Sequence, residues 1–191
     1  MSNVVINTRS SSRSGALRKG LVILGGVALT ALAAKAQVPF WPVPMTLHTL
    51  AIMAMAVTFG PRIALSAVAA YILAGATGLP VFSGSPERGI GLAYIVGPTG
   101  GYLAGYLAAA FLTGWLAQGR GMLGRVGAMA AGMAVVYIAG AAWLALYVPA
   151  DKVLALGVVP FLLGDAVKIA VVAAAGPLLA NVGPYFLGGS R

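Results

Sequence analysis

The segment 157–180 reads GVVPFLLGDAVKIAVVAAAGPLLA, and it decides the class of fold. It is long enough to cross a bilayer as a helix, which takes about 20 mostly apolar residues. Two ionisable residues, Asp165 and Lys168, interrupt it. Such residues are costly at membrane depth, and they normally face a cavity or each other. Because a spacing of three places both on one helix face, we predict a polar site inside a membrane protein.

The composition of the whole chain supports this class. Of the 191 residues, 60% are hydrophobic and 8% are charged, and the mean hydropathy is +0.97. In a soluble domain roughly a quarter of all residues are charged, so we predict an all-α integral membrane protein. The chain has no cysteine, one histidine and three carboxylate side chains, which leaves little acid–base or metal chemistry. We therefore expect neither an enzyme nor a bound metal or cofactor, and a phosphate-binding Gly-Lys loop is missing as well.

Proline, glycine and charged residues divide the chain into six apolar stretches. These predicted spans lie near 20–37, 45–59, 62–79, 99–118, 125–148 and 157–180. The corresponding organisation is a polar, basic tail at 1–19, a single six-helix transmembrane domain at 20–187 and a C-terminal tail at 188–191.

The distribution of charge predicts the orientation in the cytoplasmic membrane. With both termini in the cytoplasm, the cytoplasmic side carries no carboxylate side chain and the following cations: Arg9, Arg13, Arg18, Lys19, Arg62, Arg120, Arg125 and Arg191. This asymmetry follows the positive-inside rule and explains the net charge of +9 without a nucleic-acid partner. A cleavable signal peptide ending at Ala36 is the alternative, but its removal would leave five spans and spoil the asymmetry.

Small residues recur at every fourth position in three spans, which permits close approach of helices in lipid. They are Gly97, Gly101, Gly105 and Ala109 in the fourth span, Gly124, Ala128 and Gly132 in the fifth, and Gly26, Thr30 and Ala34 in the first. Packing within the bundle is one interpretation of all three stripes. The other is that one stripe faces a partner subunit, and the first-span stripe is the candidate because a terminal helix is often peripheral.

Two outer loops could close a cavity above Asp165. The first, 37–44, is stiffened by prolines and presents Phe40 and Trp41, although an interfacial aromatic belt would also explain these residues. The second, 80–97, contains Tyr94 and is long enough to favour a lid. We interpret His48 as a hydrogen-bonded packing residue rather than a metal ligand.

Six short motifs occur in a fixed order. They are 42–47 (PVPMTL), 60–62 (GPR), 78–82 (GLPVF), 97–102 (GPTGGY), 160–161 (PF) and 164–168 (GDAVK). Together they resemble the BioY family, the biotin-specific substrate-binding (S) component of energy-coupling-factor transporters. The resemblance covers most of the chain, from the first predicted span to the sixth.

The resemblance implies a six-helix membrane protein for biotin uptake that holds biotin near its outer face. It also implies a transmembrane coupling subunit and ABC-type ATPases as partners, although some family members are found without a dedicated motor. By motif position, Asp165 and Lys168 match the family's sixth-span polar pair. The candidate ligand contacts are Asp165, Lys168, Tyr94, Phe40, Trp41, Gln37, Ser83 and Ser85.

The sequence departs from the family at three places. Histidine stands at position 48 where members often have glutamine, and Ser83-Gly84-Ser85 stands where several have asparagine. The Ala-x-x-x-Ala pair that docks the coupling subunit is only approximated by the first-span stripe. Two alternatives therefore remain: an S component for another vitamin such as thiamine, and a structural bundle without a ligand. Because Lys168 balances Asp165, a neutral or anionic ligand suits the site better than cationic thiamine.

Overall fold

The computed structural model describes residues 7–38 and 41–187, and these residues are almost entirely helical. The two short strands, β1 (Gln37–Val38) and β2 (Met45–Thr46), pair antiparallel at one end of the molecule. The helices are α1 (Asn7–Lys35), α2 (His48–Ala76), α3 (Gly91–Ile95), α4 (Gly100–Leu116), α5 (Met122–Leu144), α6 (Val153–Gly157), α7 (Val159–Ala174) and α8 (Gly176–Leu187), with a turn of 3-10 helix at Ala150–Lys152.

Helix α2 is folded back on itself at Gly60. Gly60 adopts φ +80°, a left-handed conformation that glycine tolerates, and Pro61 follows it. On a straight helix, residues 23 positions apart would be separated by about 34 Å. Instead, the His48 Nε2 and Tyr71 hydroxyl atoms are 2.8 Å apart. The two halves are therefore antiparallel, and the boundary expected between the second and third predicted spans is confirmed.

Four stretches in the described part of the chain are long and apolar enough to cross a membrane. They are Gly15–Lys35, His48–Ala76, Met122–Leu144 and Ala150–Ala174. Since the second contains the Gly60 turn, its 29 residues form two antiparallel segments rather than one continuous crossing. Helix α4 is shorter, with 17 residues, and packs extensively on α2 and α5. The predicted helical architecture is confirmed, since the described residues outside β1, β2 and the connecting turns are helical.

The fourth-span and fifth-span stripes pack within the bundle. A Cβ atom at Gly101 would lie 2.2 Å from Trp143 Cβ and 2.5 Å from the Ala139 carbonyl oxygen, and one at Gly132 would meet Thr113 Oγ1. Gly105 is equally close to the backbone of Val136. Helices α4 and α5 therefore approach each other through their glycine faces, as the spacing of small residues predicts.

The first-span stripe also packs inside the molecule, so its assignment to a partner surface is wrong. A Cβ atom at Gly26 would lie 2.8 Å from both Ala67 Cβ and Met55 Sδ on α2. Thr30 is fully buried and donates to the Gly26 carbonyl oxygen, and Ala34 is fully buried as well. The opposite side of α1 carries exposed leucines, so this peripheral helix buries its small-residue stripe against α2 and leaves its larger apolar side chains outside.

The first and sixth predicted spans differ from the helices of the structure. Helix α1 begins at Asn7, within the segment assigned to the polar tail, because the sequence offers no proline before Pro39 to interrupt it. The sixth predicted span, 157–180, is divided into α7 and α8. Pro177 follows the break, and a proline ring there cannot continue the hydrogen bonding of α7. Residues 1–6 and the predicted C-terminal tail lie outside the described residues.

We expect Gly101→Ala to lower the free energy of unfolding by about 1–3 kcal/mol, because the new methyl group overpacks the α4–α5 contact. Thermal unfolding in detergent measures the change. Gly127→Ala on α5 is the matched control, since a Cβ atom there meets nothing within 4 Å. The control should be neutral or gain up to about 1 kcal/mol from helix propensity. Equal stability of the two variants would contradict the packing described above.

Candidate functional site

Asp165 and Lys168 form an ion pair one helical turn apart on α7. Lys168 Nζ lies 2.8 Å from Asp165 Oδ1, and the side chains are 15% and 7% exposed, respectively. Pro160 occupies the first turn of α7, where a missing N–H group costs nothing. The predicted placement of both residues on one helix face is therefore confirmed.

Two other helices supply hydrogen bonds to the Asp165 carboxylate. Thr49 of α2 donates to Oδ1 over 2.7 Å, and Tyr137 of α5 donates to Oδ2 over 2.6 Å. Lys168 Nζ also donates to the Thr46 carbonyl oxygen at 2.6 Å and to Thr49 Oγ1 at 3.0 Å. An ionised carboxylate has about four acceptor positions. Oδ1 accepts two of these bonds and Oδ2 accepts one, so Oδ2 retains an acceptor position.

A small cavity of about 30 Å³ adjoins the ion pair. Aromatic and apolar side chains from α4, α5 and α7 form much of its wall. The 43–46 segment and Thr49 of α2 complete it. Its lining is Val43, Pro44, Thr46, Thr49, Tyr102, Tyr106, Met133, Val136, Tyr137, Phe161, Asp165 and Lys168. Both members of the pair therefore line a small cavity inside the bundle rather than the outer surface of the helix.

A second small cavity, of about 20 Å³, shares five lining residues with the first: Val43, Pro44, Thr46, Tyr102 and Tyr106. It extends toward Ser83, Tyr94 and Thr99, which belong to the long outer loop and its junction with α4. The two cavities together make an elongated site. One end carries the ion pair, and the other end carries hydroxyl groups.

The single histidine is a packing residue at the edge of the second cavity. His48 is buried, and its ring nitrogens contact the Tyr71 hydroxyl at 2.8 Å and Thr46 Oγ1 at 3.0 Å. Among residues 7–38 and 41–187, no three histidine, cysteine or carboxylate side chains are grouped as a metal site would require. The interpretation of His48 as a hydrogen-bonded packing residue is confirmed.

The outer loops are tied together above the site. Lys35 Nζ, at the end of α1, donates to the carbonyl oxygens of Phe82 and Ser85, each at 3.0 Å. Arg88 Nη1 donates to the Pro42 carbonyl oxygen at 3.1 Å, which joins the long loop to the short one. These bonds hold the 80–97 loop over the cavity in the position expected of a lid.

Tyr94, the aromatic candidate residue of the 80–97 loop, is buried. Tyr94 stacks on Phe82 with ring centroids 4.6 Å apart. Burial raises the pKa of the Tyr94 phenol, so its hydroxyl remains neutral and available as a donor. Tyr94 therefore combines an apolar ring face with a polar group at the hydroxyl end of the site.

The remaining loop candidates differ in position. Ser83 is buried and lines the second cavity, where its hydroxyl donates to Gln37 Oε1. Gln37 itself, Trp41 and Ser85 do not line either cavity: Trp41 is 73% exposed, and Ser85 donates to the Gly89 carbonyl oxygen. The exposure of Trp41 agrees with the alternative given in the sequence analysis, in which its ring belongs to an interfacial aromatic belt. Phe40 lies outside the described residues.

Several wall residues were not identified from the sequence, chiefly Thr49, Tyr102, Tyr106 and Tyr137. Tyr102 and Tyr106 are four residues apart on α4, so their shared face was readable from the sequence. Tyr137 offered no such signal. A lone tyrosine in an apolar span is as compatible with lipid contact as with a bond to Asp165, and only the tertiary fold decides between them.

Comparison with known proteins identifies the family to which this chain belongs. The family described as the BioY family matches residues 7–184. The chain belongs to the BioY family. The fold is also similar to that of a crystal structure described as the S-component for biotin from an ECF-type ABC transporter. The TM-score is 0.68, the identity is 24%, and the match covers 94% of this chain and 95% of that one.

Curated relatives of the BioY family agree with this membership. The probable biotin transporter BioY of Pyrococcus horikoshii is 38% identical over 144 residues, which is 75% of this chain and 85% of the relative. The biotin transporter BioY of Thermotoga maritima is 37% identical over 148 residues, 76% and 86% of the two chains. That of Rhodobacter capsulatus is 33% identical over 186 residues, 87% and 96%. The chain is a multi-pass membrane protein.

We expect Lys168→Met to lower the free energy of unfolding by about 3–5 kcal/mol, because it leaves the buried Asp165 carboxylate without its counter-charge. The double variant Asp165→Asn, Lys168→Met should recover most of the loss, since neither charge remains. Unfolding by titration with sodium dodecyl sulfate in mixed micelles measures both. A double variant no more stable than the single one would show that the charges do not depend on each other.

Proposed function

We propose that this chain is the biotin-binding membrane component of a vitamin transporter and serves biotin uptake across the cytoplasmic membrane. One observation carries the proposal: in a member of the BioY family, the buried Asp165–Lys168 pair lines an elongated, aromatic-walled cavity. A purely structural ion pair would need no open space beside it. Ligand pockets are typically apolar with a few well-placed polar groups, which is the pattern here.

The ion pair recognises the ureido ring of biotin. That ring offers two N–H donors and one carbonyl acceptor. Asp165 Oδ2 retains an acceptor position toward the cavity, so it accepts a charge-assisted bond from a ureido N–H group. Lys168 keeps Asp165 ionised and is within reach of the ureido carbonyl oxygen.

The aromatic walls hold the apolar part of the ligand. Tyr102, Tyr106 and Phe161 line the cavity next to the ion pair and pack against the fused rings of biotin. The alkyl chain then extends into the neighbouring cavity toward Tyr94 and Ser83, where hydroxyl groups surround the ligand carboxylate. A cationic ligand such as thiamine is disfavoured, because Lys168 already neutralises Asp165.

We propose six crossings with both termini in the cytoplasm. The antiparallel halves of α2 supply the second and third crossings, and α1, α4, α5 and the α7–α8 pair supply the others. The positive-inside rule then places Arg62 and Arg120 at the cytoplasmic end. Asp165 and the tied loops lie at the opposite, outer end, where biotin enters.

Transport requires partners in this proposal. The structural neighbour is described as the S-component of an ECF-type ABC transporter, and the sequence has no Gly-Lys phosphate-binding loop of its own. We infer a transmembrane coupling subunit and ABC-type ATPases as partners for active uptake, while capture of biotin requires only the preformed pocket.

We expect Asp165→Asn to weaken biotin binding by about 2–4 kcal/mol, or roughly 30- to 1,000-fold in Kd, because one partner of a buried charged pair is lost. Titration calorimetry on the purified protein measures the affinity, with thiamine as a second ligand. Asp151→Asn, the same change at an exposed outer residue, is the control and should bind as the wild type does. Unchanged affinity in Asp165→Asn, or tighter binding of thiamine than of biotin, would refute the proposal.

Because the chain has no cysteine, single cysteines report its orientation. We expect a membrane-impermeant maleimide to label Glu87→Cys on intact cells, and to label Gln118→Cys only after permeabilisation. Both positions are exposed, at the outer and the inner end, respectively. Biotin binding by both variants controls for folding. The reverse labelling pattern, or equal labelling of both on intact cells, contradicts the proposed topology.

A further inference from the structure

A separate cavity of about 260 Å³ lies at the end of the bundle opposite to the ion pair. It is lined by the end of the first α2 segment, the start of α5 and the junction of α7 with α8. Ala173, one of its lining residues, is eight residues beyond Asp165 on α7, or about 12 Å along the helix.

Two arginines line this inner cavity. Arg125 Nε donates to the Arg120 carbonyl oxygen at 3.1 Å, which fixes the Arg125 guanidinium at the mouth. The first turn of α5 adds positive potential, since it contains no acidic residue and its N-cap, Gly121, provides no side-chain cap. None of the three carboxylate side chains is near: Asp165 pairs with Lys168, and Glu87 and Asp151 lie at the outer end.

The walls behind the arginines are apolar. Val57, Met129 and Val172 line the cavity, together with Pro177 at the start of α8. Leu178, next to Pro177, is 75% exposed on the lipid-facing surface. The inner cavity thus places a cationic mouth at the membrane boundary and an apolar wall on the side of the hydrocarbon.

We propose that the inner cavity binds an anionic phospholipid of the surrounding leaflet. Arg120 and Arg125 hold the phosphate group, with the N–H groups of the first α5 turn as further donors, and the apolar walls receive the start of an acyl chain. An acidic segment of a partner protein would match the arginines, but it would leave the apolar walls unexplained. A free phosphate ion would leave them unexplained as well. The site is independent of biotin binding.

The test uses the full chain purified from membranes and equilibrated with equal amounts of phosphatidylglycerol and phosphatidylcholine. Mass spectrometry of the lipids retained after gel filtration measures the preference. We expect several-fold enrichment of phosphatidylglycerol, lost in Arg125→Gln and reduced in Arg120→Gln. Arg62→Gln is the matched control, because it removes the same charge at the same end of the bundle without lining the cavity.

A second variant tests the cavity without changing charge. A Cβ atom at Gly176 would meet only Arg125 Nη1, at 3.8 Å, so Gly176→Leu fills the space beside that arginine. It should also abolish the enrichment. Biotin binding by every variant shows that the protein remains folded, and it separates failure of this inference from failure of the proposed transport function.

Three results would overturn the inference. Equal loss of enrichment in Arg62→Gln would show a general surface-charge effect. Displacement of phosphatidylglycerol by millimolar inorganic phosphate would show that a free anion is the ligand. Unchanged lipid retention in Arg125→Gln, combined with loss of co-purified ATPase subunits, would assign the arginines to a protein partner.

Discussion

The buried carboxylate of Asp165 is the constraint on which the rest of the structure depends. A charge at that depth is stable only beside a counter-charge or hydrogen-bond donors, and those of Asp165 come from α2, α5 and α7 itself. Thr49, Tyr137 and Lys168 therefore fix three helices relative to one another at one level of the bundle. This network fixes the helices that line the cavity next to Asp165, and the 37–44 and 80–97 loops cover the cavity at the end of the bundle.

Close packing of the helices outside the cavity compensates for the packing that is lost at the cavity. Gly101 and Gly105 bring α4 close to the backbone of α5, and Gly26 lets the α2 side chains of Met55 and Ala67 pack directly on α1. In lipid, this close contact is the main source of association, because the hydrophobic effect offers little between helices. Larger aromatic side chains are then left for the outer half of the bundle, where Tyr102 and Tyr106 line the space instead of filling it.

The sequence predicted what depends on local pattern and missed what depends on tertiary contact. Spacing alone placed Asp165 and Lys168 on one face, and Gly60-Pro61 marked the turn within α2. The break within the sixth predicted span was missed, because the run of apolar residues continues through it. The sequence could not predict that the first-span stripe packs on α2, nor that Tyr137 bonds to Asp165. Periodicity shows which residues share a helix face, but it does not show what that face contacts.

The two ends of the bundle differ in their electrostatic balance, and this difference separates their roles. At the outer end each buried charge has its counterpart within the chain, so the pocket is close to neutral and favours a ligand that donates hydrogen bonds to Asp165. At the inner end Arg120 and Arg125 have no carboxylate side chain of the chain beside them. Because positive charge at that membrane boundary is left unbalanced by the protein itself, its compensation has to come from anionic groups in the surroundings.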